Sequence, residues 1–114
     1  MKKLTMTLMS LWMVSAAGPL FAGGSATANV AKVGLVQSLG DMLFVQLSPA
    51  TVTGAPGCSV NTEWQFVLSL ATTQGQQTLA LLLEAKATNA SVQFSGTGAC
   101  NVYANVETLD AIYF

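Results

Sequence analysis

The sequence predicts one small, mainly β domain carrying a single helix (α+β). Three observations predict it: several short runs alternate apolar and polar residues, one internal stretch switches to helical spacing, and Gly, Pro, Asn and Asp punctuate the boundaries. Only 8% of the 114 residues are charged.

The chain opens Met1-Lys2-Lys3, and residues 4–17 are apolar apart from small hydroxyl side chains, before Gly18, Pro19 and further small residues. A basic start and an apolar core too short to span a bilayer read as a signal peptide over residues 1–22. Ala22 is the best-placed cleavage position, and Ala26-Thr27-Ala28 offers an alternative cut after residue 28. Residues 23–30 are small and polar and read as a flexible leader into a domain over residues 31–114. The mature protein is then secreted or periplasmic and has no membrane span.

Removing residues 1–22 leaves Lys32 and Lys86 against Asp41, Glu63, Glu84, Glu107 and Asp110, a formal side-chain charge of −3. Nucleic-acid binding needs clustered cations to displace phosphate counterions, so that partner is excluded. A core this small needs a staple. An exported chain with two cysteines supplies one, and Cys58 and Cys100 are expected to pair. With no histidine and no C-x-x-C spacing, neither a metal site nor a redox pair is expected, and no cofactor is implied.

Each element follows from local pattern. Residues 31–39 hold Val33, Leu35 and Val36 and end at a Gly40-Asp41 turn. Residues 42–47 then place Leu43, Val45 and Leu47 on one side and Met42, Phe44 and Gln46 on the other, so the two segments read as a hairpin. Residues 48–62, with Pro49 and Pro56-Gly57, read as a surface loop pinned near Cys58. Alternation returns over residues 63–70, with Trp64, Phe66 and Leu68 on one face of a third strand. Residues 76–88 carry Leu79, Leu82, Leu83 and Lys86 at helical spacing. Thr72 or Thr73 caps the start of this helix, and Asn89 is the left-handed residue at its end. Residues 91–95 form a fourth strand with Val92 and Phe94 facing one way, and residues 106–114 a fifth. Five short antiparallel strands with a helix between the third and fourth have the connectivity of an OB-type Greek-key barrel.

The order of Cys58, Trp64-Gln65-Phe66, Leu82-Leu83-Glu84-Ala85-Lys86 and Gly96-Thr97-Gly98-Ala99-Cys100, with Glu107 beyond, resembles small exported bacterial proteins similar to the B subunits of subtilase-cytotoxin-type toxins. The resemblance covers most of the mature chain. It implies an OB fold, assembly into a homo-oligomeric ring, glycan binding and an enzymatic partner subunit. Asn89 stands where that family tends to place glycine.

Two aromatic residues are the candidate ligand contacts. Trp64 has an amphipathic ring able to lie against a sugar face, although its alternation with Phe66 and Leu68 favours the core. Tyr103 lies in a less patterned segment suited to exposure. Glycosidic hydrolysis requires two carboxylates at a fixed separation, and the five acidic residues instead fall on turns and polar faces as solvated charge. A serine nucleophile would lack a histidine base. Gly96-Thr97-Gly98 lacks the lysine and helix of a phosphate loop and reads as a bend into the disulfide. The expected function is therefore a non-enzymatic binding module for glycan. The alternative is a structural or inhibitory protein that docks onto an envelope or host protein.

Overall fold

The computed structural model describes residues 23–114, so the signal-peptide expectation lies outside the described residues. Five strands, β1 (Ser25–Val36), β2 (Met42–Ser48), β3 (Phe66–Ser69), β4 (Val92–Gly96) and β5 (Glu107–Tyr113), close into a ring in the order β1-β2-β3-β5-β4, with β4 returning to β1. Helix α1 (Thr73–Thr88) lies between β3 and β4 in the chain, as the sequence predicts.

The sheet is mixed rather than wholly antiparallel, which corrects the expectation. β3 and β5 run parallel, and every other neighbouring pair is antiparallel. An odd number of strands cannot alternate direction all the way around a closed ring, so at least one seam has to be parallel. That seam is short, with only Phe66 opposite Glu107 and Val67 opposite Thr108.

β1 begins within the segment expected to be a flexible leader. Ser25 to Ala28 pair with β4, and Asn29 to Val36 pair with β2. Ala26, Ala28 and Val30 point into the core; a bulge between Val30 and Lys32 then shifts the parity, so that Val33 takes over the inward side. One strand thereby serves both halves of the ring. A 3₁₀ turn at Gln37–Leu39 leads into the hairpin turn, where Gly40 (φ 96°) and Asp41 (φ 59°) are left-handed.

The interior is filled by Leu43, Val45 and Leu47 from β2, Phe66 and Leu68 from β3, Val92 and Phe94 from β4, and Leu109 from β5. The rings of Phe66 and Phe94 stack with centroids 6.0 Å apart. β3 is shorter than predicted because residues 63–65 stay outside the regular strand.

Helix α1 starts three residues earlier than its spacing suggests. Thr72 is the N-cap, its hydroxyl accepting from the Gly75 amide at 2.9 Å, and Asn89 ends the helix at φ 54°. Its buried positions are Gly75, Leu82 and Ala85, with Leu79 half-buried against the core. Leu83, predicted on the apolar stripe, is exposed instead. The helix lies against β1 and β5. Asn29 anchors its end by donating to the Asn89 carbonyl at 3.0 Å and the Asn89 side-chain oxygen at 2.8 Å.

Cys58 and Cys100 form the predicted disulfide, with Cα atoms 6.2 Å apart. It joins the β2–β3 loop to the β4–β5 loop, the two connections that flank the parallel seam. Beside it, the Val60 and Asn61 amides both donate to the Asn105 carbonyl.

Glu107 overturns the expectation of solvated charge: it is fully buried at the start of β5, whereas Asp41, Glu63, Glu84 and Asp110 are exposed. Oε2 of Glu107 accepts from the Gly24 and Gly98 amides, both at 2.9 Å. Gly96 is required by close approach, because a Cβ there would overlap this carboxylate. The glycines of 96–98 therefore accommodate Glu107 more directly than they bend the chain into the disulfide.

Candidate aromatic binding face

The outer face of the ring carries its own apolar cluster. Cross-strand pairing sets Gly34 of β1, Phe44 of β2 and Val67 of β3 side by side in one row. Phe44 and Val67 are buried there together with Val106, under a cover made by Trp64, Tyr103, Val36, Met42 and Val102. Side chains in β2 alternate, so placing Leu43 and Val45 inside commits Phe44 to this outer face.

Trp64 and Tyr103, the two predicted ligand contacts, meet around Phe44. The Trp64 ring lies 5.7 Å from that of Phe44 at a 47° tilt, and Tyr103 packs on Phe44 edge-on at 5.1 Å. Both are half-buried. Trp64 does not join Phe66 and Leu68 inside the ring, as its alternation suggested. Asn61 is the reason: its Oδ1 accepts from the Glu63 and Trp64 amides at 2.9 and 2.8 Å, holding an Asx turn that breaks the period-2 pattern before β3 begins. Tyr103 is presented by the β4–β5 loop in a tight turn closed by the Val106 amide donating to the Tyr103 carbonyl.

Sequence reasoning missed the groups that surround Trp64. Its benzo edge crosses Gly34, where a Cβ would lie 3.0 Å from Cη2, so glycine makes room for the ring. Lys32, two residues earlier on the same side of β1, sets its ammonium 4.9 Å from the ring centroid and donates to Glu63 Oε2 at 2.9 Å. Gln46 donates to the Glu63 carbonyl at 3.0 Å. Both members of the ion pair are about half exposed, so it contributes at most about 1 kcal/mol to stability. Neighbouring strands place Lys32 opposite Gln46, a contact invisible without the register.

No family model, curated protein or solved structure matches the chain.

Chemically, the face combines a partly exposed indole and phenol with an ammonium, a carboxylate and a carboxamide at its rim. Aromatic rings cover the apolar C–H faces of a ligand, and the rim offers donors and acceptors for hydroxyl groups. Two surface depressions lie elsewhere. One of about 310 Å³ runs between the first turn of α1 and β5, past Thr72, Thr78, Thr108 and Asp110. One of about 180 Å³ lies beside Val52, Ser59 and Gln65. Neither contains an aromatic ring. Among the described residues no three His, Cys, Asp or Glu side chains cluster as metal ligands, and no helix is long and apolar enough to cross a membrane.

Proposed function

We propose that the chain is an exported, non-enzymatic OB-type module that binds a saccharide on the face formed by Trp64, Phe44 and Tyr103. Ring order, the helix between β3 and β4 and the parallel β3–β5 seam fit OB connectivity. The observation that carries the functional reading is position: the cluster sits on the β2–β3 face and borrows Tyr103 from the β4–β5 loop, the surface on which that architecture takes oligosaccharides. The Cys58–Cys100 disulfide supports an oxidising, periplasmic or extracellular setting.

Sugar rings present an apolar face bordered by hydroxyls. Trp64 supplies the stacking surface; Lys32 donates and Glu63 accepts at its edge. Binding of this kind needs no general base. A glycan array probed with the mature domain tests the reading. Retention of a defined saccharide set by the native protein, and its loss in Trp64→Ala, is the expected result; an array without binding would reject it.

A protein-docking role is the second reading, favoured by the apolar surface of α1, where Leu81 and Leu83 are 44% and 50% exposed. The same surface supports self-association into a homo-oligomer such as the rings of toxin B subunits. Light scattering at micromolar concentration separates a ring from a monomer, and co-purification with an envelope or host protein identifies the docking alternative.

A further inference from the structure

The buried carboxylate of Glu107 has a charge problem that the described side chains do not solve. It is 0% exposed, and both of its backbone donors go to Oε2, leaving Oε1 with no hydrogen-bond partner. A buried carboxylate needs a counter-charge or a full set of donors. The only side-chain cations in residues 23–114 are Lys32 and Lys86. Lys32 is paired with Glu63, and Lys86 is exposed on the last turn of α1.

One further cation becomes available if the leader is removed. Gly23 packs directly on the carboxylate: a Cβ built on it would lie 2.5 Å from Glu107 Oε2. The backbone nitrogen of Gly23 and that Cβ position are both about 1.5 Å from the Cα, so a free α-amino group there lies within about 5 Å of Oε2. We propose that hydrolysis of the Ala22–Gly23 peptide bond by a signal peptidase, with water supplying the new carboxylate and amine, creates the partner of Glu107. The Gly23 α-ammonium then donates to Oε1 and closes a buried ion pair. The cut after residue 28 does not suit this role. It would remove the Gly24 amide donor and the Ser25 to Ala28 pairing with β4, opening the ring. Residue 23 also has to be glycine, since any side chain would overlap the Gly96 carbonyl and Glu107. The processed chain is thus more stable than its precursor.

This inference rests on export with processing and is separate from saccharide binding. Intact mass and N-terminal sequencing of the full chain expressed in an exporting bacterial host are expected to give Gly23 as the first residue. A retained leader, or a start at Asn29, overturns the proposal together with the processing site. A double-mutant cycle then tests the pair alone. Proteins beginning at Gly23 and at Ala22 are compared by urea unfolding, each with Glu107 and with Glu107→Gln. The extra alanine is expected to lower the folding constant at least tenfold with Glu107 and less than twofold with Glu107→Gln. Equal losses in both backgrounds overturn the ion pair even where processing is correct. If Glu107→Gln does not fold, acylation of the α-amine decides: at least tenfold slower reaction in the native protein than in urea is expected, and equal rates overturn the proposal.

Discussion

Breaking the Cys58–Cys100 disulfide should open the ring at one identifiable seam. The bond closes a loop of sequence separation 42. On the chain-entropy estimate, cross-linking a loop of that length stabilises the folded state by about 4 kcal/mol, a large part of the 5–15 kcal/mol typical of a small domain. Placement sharpens the expectation. β1 and β2 pair over seven residues of β2, whereas β3 and β5 meet at only two pairs, so the staple lies next to the weakest junction. Urea unfolding of the oxidised domain and of a Cys58→Ala/Cys100→Ala variant measures the total loss. Amide hydrogen exchange on the same two proteins locates it. The Val60 and Asn61 amides, which bond from the β2–β3 loop to the Asn105 carbonyl of the β4–β5 loop, should lose protection first, while the β1–β2 hairpin keeps it. A loss below about 1 kcal/mol, or protection that falls evenly across the ring, would refute the argument that sulfur holds the parallel seam.

Three further outcomes follow from the packing. Phe66→Ala removes a fully buried ring stacked on Phe94 and should cost about 3–5 kcal/mol in urea unfolding. Thr72→Ala removes the hydroxyl that caps α1 and should cost about 1 kcal/mol, with helical circular dichroism otherwise retained. Gly34→Val should displace the Trp64 ring, changing the near-ultraviolet circular dichroism and weakening saccharide binding while the far-ultraviolet spectrum stays the same.

Much of this architecture is legible where one pattern acts alone. β2 shows a clean alternation because one of its faces is the interior and the other lies under a smaller cluster. The ends of α1 are written in Thr72 and Asn89, whose side-chain and backbone preferences are local. Two cysteines leave a single pairing. Tertiary context hides the rest. The first half of β1 fills its inward positions mainly with alanine beside the packed helix, and its bulge changes parity in mid-strand, so no single period runs through it. Burial of Glu107 depends on Gly96 of β4 and on glycines of the segment before β1, the latter far away in sequence. Trp64 and Tyr103 were visible as candidates by residue type. Their meeting around Phe44, with Lys32 over the indole, needed the register of three strands and one Asx turn at Asn61.

Trp64 gives the most direct test of the binding face, because it is the sole tryptophan once residues 1–22 are removed. Its fluorescence can be followed while a saccharide retained on the array is titrated into the mature domain, with acrylamide quenching measured at each end. A saturable change in emission, together with protection from the quencher, is the predicted result. Saccharide binding that leaves both the emission and the quenching of Trp64 unaltered would contradict it and move the site elsewhere on the ring.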